Sequence, residues 1–322
     1  MILLTGATGF LGKNFIFEYV KKSPIKILVR KTSDTNIFKD NANVIIHRGD
    51  LVGNKGLDQA LCGVEVVIHC AARTNGSRFN EFYCDNIIAT VNLIEAMKRN
   101  KINKLLFIST QSAGGPGCSE KKFIETSPSH PVSLYGLSKK MAEDIVMKSG
   151  LPYNILRPCS IYGPYDMEIL KFIKLIKKGF YPIIGRDNKY VSLIYIKDLI
   201  KLMQIIIEKS LFNQKIYYVS DGHCYQYDEV VREICRILNR KYCLKVNIPV
   251  SFAYAFGLLN DLLLSQRRRL VGFDKIRDMS KTFWICENSN IIKESNWMPE
   301  YDLKKGMEET IRWYQKNGFL GS

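Results

Sequence analysis

Tyr135 and Lys139 stand four residues apart in Tyr135-Gly136-Leu137-Ser138-Lys139, a spacing that puts both on one face of a helix. An ammonium beside a phenol favours the phenolate and lowers the phenol pKa from its free value of about 10. Such a phenol exchanges protons with an alcohol or carbonyl oxygen near neutral pH. Upstream, the apolar run Phe107-Ile108-Ser109-Thr110 ends in a hydroxyl. From a strand tip, Thr110 can hydrogen-bond a substrate oxygen as charge develops on it. Ser109 and Ser112 are the less favoured substitutes. Thr110, Tyr135 and Lys139 are therefore the catalytic candidates, and the chemistry they suit is hydride transfer between an alcohol and a ketone.

Hydride transfer needs a dinucleotide. The first apolar run ends in Thr5-Gly6-Ala7-Thr8-Gly9-Phe10-Leu11-Gly12, and a helical pattern begins at once. A glycine-rich turn lets a pyrophosphate approach the backbone, and the helix start offers free N–H groups and a favourable dipole. The spacing is GxxGxxG rather than GxGxxG; its position between a strand and a helix gives it meaning. An acidic residue usually closes the second strand and holds the adenosine ribose. Here that stretch reads Ile27-Leu28-Val29-Arg30-Lys31-Thr32-Ser33. A guanidinium at Arg30 grips a 2′-phosphate where a carboxylate would repel it. The expected cofactor is NADP(H), with NAD(H) the alternative, and Thr8, Arg30 and Ser33 join the cofactor-binding candidates.

These groups need elements to carry them. Met1–Thr5, Ile25–Val29, Val44–His47, Val64–His69, Leu105–Ser109 and Tyr153–Arg157 read as strands. Leu11–Lys22, Gly56–Leu61, Asn80–Asn100, Val132–Lys148, Met167–Lys178 and the run Ile196–Lys209 have helical spacing. Strand and helix alternate, and the strands are nearly all apolar, so a parallel sheet covered on both faces is expected. The fold class is α/β: a Rossmann doubly wound parallel sheet with a smaller C-terminal α/β substrate domain. Residues 1–165, with parts of 190–220, would bind the dinucleotide; 166–189 and 221–322 would bind substrate.

Composition narrows the class. The formal net charge is +16, from 47 basic and 31 acidic residues. That attracts anions, but the cations are scattered, with one dense run at Arg267, Arg268 and Arg269. No basic stripe or nucleic-acid motif appears, so no nucleic-acid partner is expected. Nine cysteines, an odd number without CxxC spacing, point to reduced thiols in a cytoplasmic protein and to no disulfide frame or metal site. Met1-Ile2-Leu3-Leu4 is too short for a signal peptide. The longest apolar stretch, Val250–Leu264, is interrupted by Asn260 and Asp261 and falls short of a membrane span. It reads as a buried or amphipathic helix; with the arginine run behind it, contact with a membrane surface is the minor alternative.

With these motifs in order, the chain resembles the extended short-chain dehydrogenase/reductase superfamily, in its NAD-dependent epimerase/dehydratase branch. The resemblance spans nearly the whole chain. It rests on TGATGFLG at 5–12, GDL at 49–51, HCAA at 69–72, FIST at 107–110, YGLSK at 135–139 and RPCSIYGP at 157–164. SLIYIKDL at 192–199 and NWMPEYDLKKGMEETIRWY at 296–314 extend it. The resemblance implies that Gly6, Gly9, Phe10, Leu11 and Gly12 contact the pyrophosphate, and that Asp50 and Leu51 flank the adenine. It implies that Ala71, Ala72 and Arg73 line the path to the nicotinamide ribose. Lys139 would hold ribose hydroxyls, and the stretch with Pro158, Ser160 and Ile161 would border the nicotinamide. It also implies a homodimer through the helices at Asn80–Asn100 and Val132–Lys148.

Three departures bear on substrate. Gln111 and Ser112 replace the Asp-Glu pair that follows the threonine in sugar 4,6-dehydratases. Ser160 replaces an asparagine, and Val191-Ser192 replaces an arginine that pairs a nucleotide-sugar diphosphate. The favoured reading is an NAD(P)(H)-dependent oxidoreductase interconverting an alcohol and a ketone. The alternative is a nucleotide-sugar epimerase that oxidises its substrate transiently with a retained NAD(P). A non-catalytic binding module is the third reading; the intact Thr, Tyr and Lys set argues against it.

Overall fold

The computed structural model describes residues 1–263 and 271–321. Leu264 and the arginine run 267–269 lie outside the described residues. The main sheet is built from β1 (Ile2–Thr5), β2 (Ile25–Val29), β3 (Val44–Arg48), β4 (Val66–His69), β5 (Lys104–Ile108), β6 (Tyr153–Pro158) and, further along the chain, β11 (Lys215–Val219). Its spatial order is β3-β2-β1-β4-β5-β6-β11, and every pairing is parallel. The expected doubly wound sheet is therefore present. The run Lys215–Val219, which received no strand assignment from the sequence, is its seventh strand.

Alternation along the strands feeds two apolar layers. Leu4, Ile27, Ile68, Leu106 and Leu156 join one buried cluster, and Leu3, Leu28, Val67, Leu105 and Ile155 join the other. Both faces are covered, which is why the central residues of these strands are mostly apolar. The covering helices are, in chain order, α1 (Phe10–Tyr19), α2 (Leu57–Leu61), α3 (Phe79–Phe82), α4 (Ala89–Arg99), α5 (Gln111–Gly114), α6 (Leu134–Met147), α7 (Met167–Lys178) and α8 (Ile196–Glu208). After β11 come α9 (Tyr227–Ile237), α10 (Val250–Leu263), α11 (Phe273–Met279), α12 (Ser289–Ser295) and α13 (Leu303–Lys316).

The expected helix Asn80–Asn100 is not uniform. Between α3 and α4 the chain takes a π-helical turn over Tyr83–Ile88. Such wide turns are frequent at functional sites. This one holds Asn86 inward: its Nδ2 donates to Ser138 Oγ (2.8 Å) and Arg73 O (3.1 Å), and its Oδ1 accepts from Arg73 N (2.7 Å).

Small sheets lie beside the main one. β7 (Ser160–Tyr162) pairs with β10 (Leu193–Tyr195), and β8 (Phe180–Ile184) pairs with β13 (Leu244–Ile248). β9 (Tyr190–Val191) runs between β12 (Tyr225–Gln226) and β14 (Phe283–Trp284). α10 differs from its expected burial. Only Ala253, Gly257 and Asn260 of this helix are buried. Gly257 lets α11 come so close that a Cβ there would meet Phe273 Cα at 3.0 Å. The small residues take the packed face, and the large apolar ones are left outside.

A buried ion pair ties α6 to the sheet. Arg157 on β6 donates to both oxygens of Glu143 (2.9 and 2.6 Å), and each side chain is at most 2% exposed. Ser109 also donates to Glu143, and Arg157 NH1 donates to Tyr218 Oη (2.9 Å). Removing one partner of such a pair leaves an uncompensated buried charge. Arg157→Met should therefore lower the unfolding free energy by about 3–5 kcal/mol at neutral pH. Urea titration measures it; a loss below about 1 kcal/mol would show that the pair does not hold α6 in place.

Candidate active site

β1 delivers the chain into the glycine turn. Gly6 has φ +75°, and a Cβ there would lie 2.6 Å from Ala71 N; at Gly12 it would lie 2.3 Å from Gly6 O. Neither position can carry a side chain, so the turn stays tight against the strand end and the helix start. Gly9 stands at the N-cap of α1, whose first turn holds no acid. The positive end of a ten-residue helix thus faces an open cleft.

That cleft brings together most of the expected cofactor residues. Gly6, Thr8, Gly9, Arg30, Ser33, Asp50 line one half or edge of it, and Leu51, Ala71, Ala72 and Arg73 line it too. Phe10, Leu11 and Gly12 form the first turn of α1 and are not part of its lining. Arg48 braces the far loop: its guanidinium donates to Arg30 O (3.1 Å), Ser33 O (2.8 Å) and Thr35 Oγ1 (2.8 Å). The cradle, the helix start and the residues around it fit a dinucleotide. Gly6 to Gly9 would hold its pyrophosphate, Arg30 and Asp50 its adenosine end, and Ala71 to Arg73 the path inward.

Thr110 ends β5 and caps α5, its Oγ1 accepting from Ser112 N (3.2 Å). Its hydroxyl also lies close enough to the Tyr135 phenol to favour the phenolate. Tyr135 sits in the first turn of α6, whose N-cap Ser133 accepts from Gly136 N (3.0 Å). Asp274 on α11 reaches across and accepts from Leu134 N (2.6 Å) and Tyr135 N (3.1 Å). A carboxylate on the amides of a helix start is favourable on hydrogen-bonding and dipole grounds together.

One turn on, Lys139 is 2% exposed. Its Nζ donates to Ile108 O (2.8 Å) and lies 4.1 Å from the centroid of the Phe107 ring. Burial pushes its pKa down to about 8, with Glu143 and Cys70 pulling the other way. Tyr135 does not follow the sequence expectation of a lowered pKa. Burial pushes it up to about 12; the Thr110 hydroxyl opposes this, and the Asp278 carboxylate adds to it. The ammonium is spent on the Ile108 carbonyl and the Phe107 ring, so the group that touches the phenol is Thr110.

A second cavity, of about 300 Å³, opens beside Thr110. Ser160, at the start of β7, lines it, while Pro158 ends β6 and Ile161 follows in β7. Tyr135 and Lys139 line neither cavity. Sequence reasoning missed Lys189 and Asp278 in the wall beside Thr110, where Trp284 also lies. Asp274 and Asp278 are four residues apart, which puts them on one face of α11, but no motif marks them. Val191 lines this cavity, while Ser192 is fully buried and its Oγ donates to His223 O (3.1 Å). The position of the missing arginine is thus filled by structural contacts.

Comparison with known proteins agrees with this geometry. The family model described as the NAD dependent epimerase/dehydratase family matches residues 2–220. The chain is 27% identical over 324 residues to UDP-glucose 4-epimerase of Vibrio cholerae, covering 97% of this chain and 94% of that one. It is 31% identical over 280 residues to 2-alkyl-3-oxoalkanoate reductase of Shewanella oneidensis, covering 79% and 70%. Among solved structures it resembles a variant of UDP-glucuronic acid 4-epimerase from Bacillus cereus, in complex with UDP-4-deoxy-4-fluoro-glucuronic acid and NAD. That likeness has a TM-score of 0.79 at 22% identity, over 98% of this chain and 99% of that one, and shows the shared fold. The strand order, the glycine cradle and the family match together establish that this chain belongs to the NAD-dependent epimerase/dehydratase family of enzymes.

Proposed function

We propose that the protein inverts a hydroxyl-bearing carbon of a sugar linked to an anionic group, by transient oxidation with a dinucleotide that stays bound. This reverses the order of the two readings drawn from the sequence. The observation that carries it is a pair of orphaned polar atoms in the wall beside Thr110. Gln111 Nε2 and Asp278 Oδ1 are both buried without a hydrogen-bond partner among the described residues. A buried donor and a buried acceptor left unpaired are costly, and a substrate hydroxyl satisfies both kinds of group. A ring with neighbouring hydroxyls supplies several. Lys189 adds a cation to the same wall. It is 7% exposed, its pKa is lowered by burial, and its Nζ donates to Ser280 O (2.7 Å). An anionic substituent on the substrate would complete its neutralisation.

The names of relatives support the same reading, since UDP-glucose 4-epimerase is among them. We divide the labour by residue range: 1–165 with parts of 190–220 hold the dinucleotide, and 166–189 with 221–322 hold the substrate. A bound oxidised nicotinamide would supply the hydride acceptor and a positive charge that favours the Tyr135 phenolate. Tyr135 would take the proton of the reacting hydroxyl and return it to the same oxygen. Thr110 holds the oxygen throughout. Lys139 orients the ribose and adds positive charge to the pocket floor. Gln111 and Asp278 would bind ring hydroxyls before and after the ring turns over, releasing them in between.

The second reading is net interconversion of alcohol and ketone. Val191 and Ser192, in place of a diphosphate-pairing arginine, favour it, as does the reductase among the relatives. Purified protein separates the two. A dinucleotide that stays bound through purification, with no net consumption of NADPH or NADH, is expected; an empty cleft and steady consumption would establish the reductase.

In either reading Tyr135→Phe should lower turnover by about three orders of magnitude or more while dinucleotide affinity stays within about twofold. Turnover near the parent rate would remove Tyr135 from the chemistry. We further propose that Arg30 makes NADP(H) the tighter ligand. Arg30→Asp should then invert the ratio of the NADPH and NADH dissociation constants; tighter NADH binding by the parent protein would refute this.

Burial holds the Asp278 carboxyl up at about 6. It is charged above that pH and protonated below it. As acceptor of a substrate hydroxyl it should make kcat/KM fall as pH drops through about 6. Asp278→Asn should erase that acid limb and lower kcat/KM about 10–100-fold at neutral pH. An unchanged limb in the variant would show that Asp278 does not touch substrate.

A further inference from the structure

The outward face of α10 is the least satisfied surface of the described residues. Phe252 is 66% exposed, Leu258 51%, Leu259 55%, Leu262 73% and Leu263 76%, with Val250 and Phe256 at 38% and 43%. Single exposed apolar residues are ordinary; a contiguous helix face of large ones marks an interaction site. The packed face of the same helix leads to the substrate cavity through one layer of side chains. Ala253 clusters with Ile276 and Ile184, and the Tyr254 ring packs at a tilt against Phe273 with centroids 5.2 Å apart. Ile184 is itself part of the cavity lining, and so are Lys275, Asp278 and Met279 of α11.

We propose that this face seats the protein on an anionic phospholipid surface, beside the mouth of the cavity that receives the substrate. Charge complementarity favours a bilayer. No charged residue lies on the outward face of α10, and the one acid of the helix, Asp261, accepts from Phe273 N (3.0 Å). Beside the helix, Arg186 on the turn whose Gly185 meets Val250 and Lys281 next to Ser280, whose Oγ is 3.3 Å from Tyr254 Oη, are exposed; the acid on the same turn, Asp187, is exposed too. The whole chain carries a net charge of +16. Aromatic and aliphatic groups flanked by cations suit the headgroup boundary of an anionic membrane.

Size argues against a second copy of the chain as the occupant. A 14-residue helix is about 21 Å long and roughly 10 Å across, so one face offers on the order of 200–300 Å². A stable protein interface takes about 800 Å² from each partner. No helix among the described residues is long and apolar enough to cross a membrane. The helix therefore lies on the surface rather than spanning it. A bilayer seat next to the cavity would let the substrate come from the membrane, with an apolar carrier left in the lipid.

The inference stands on the surface alone and survives if the epimerase reading fails. The test is flotation of the full-length protein with vesicles of phosphatidylcholine and phosphatidylglycerol in equal parts, with pure phosphatidylcholine vesicles alongside. The protein should rise with the mixed vesicles, less with the neutral ones, and less at high salt. A variant carrying Phe252→Ser, Leu259→Ser, Leu262→Ser and Leu263→Ser should lose about tenfold or more of that partition. Its thermal unfolding and dinucleotide binding should match the parent, since these side chains are exposed. Parent protein that stays at the bottom of the gradient, or a variant that rises equally well, overturns the proposal. Loss of a parent dimer in the variant, without vesicle binding by either, overturns it in favour of an interface between copies.

Discussion

A phenol on a helix meets a hydroxyl at a strand tip only when the helix is fixed in rotation and in height. α6 is fixed from three sides. Arg157 of β6 holds Glu143 near its middle, Ser133 caps its first turn, and Asp274 of α11 accepts from Leu134 N and Tyr135 N. Asn86 adds a fourth tie through Ser138. Tyr135 owes its contact with Thr110 to this set of polar bonds, most of them buried, where each is stronger than in water and more costly to lose. Because Asp274 comes from the C-terminal elements, the Tyr135 phenol is placed jointly by the sheet and by α11, which also lines the cavity beside Thr110.

The electrostatics of the site follow from how its charges are spent. Lys139 is buried, bonded to Ile108 O and laid over Phe107, and its pKa falls to about 8. Tyr135 rises to about 12 because burial outweighs the Thr110 hydroxyl. The protein alone therefore keeps the phenol protonated. In the proposed reaction the further charge that draws the proton off would come with the cofactor, tying proton transfer to occupancy of the glycine cradle. Beside Thr110, Asp278 and Gln111 each keep a polar atom without a hydrogen-bond partner among the described residues, an acceptor and a donor that suit a hydroxyl.

Much of this was legible in the sequence where a single local rule dominates. The strands were readable because burial on both faces makes their central residues mostly apolar. The glycine turn and the Tyr135–Lys139 spacing were readable because each is a contiguous stretch in a fixed local geometry. What escaped depends on residues distant in the chain. Asp274 and Asp278 have no signature of their own and reach α6 and Ser112 only through the tertiary fold. The lowered phenol pKa expected from Lys139 failed because spacing along a helix says nothing of what else the ammonium touches. α10 was expected to be buried or amphipathic. Its composition was read well enough, but hydrophobicity alone cannot tell that Ala253 and Gly257 take the packed face and that Phe252 and the leucines do not.

The central claim is that the glycine cradle and the Thr110–Tyr135–Lys139 set converge on one bound dinucleotide. A crystal structure of the protein with NAD(P) tests it most directly. The account predicts the pyrophosphate over the turn Gly6–Gly12, the nicotinamide ribose within hydrogen-bond reach of Lys139, and the reactive carbon facing Thr110 and Tyr135. A dinucleotide bound elsewhere, or one whose nicotinamide points away from the phenol, would contradict it.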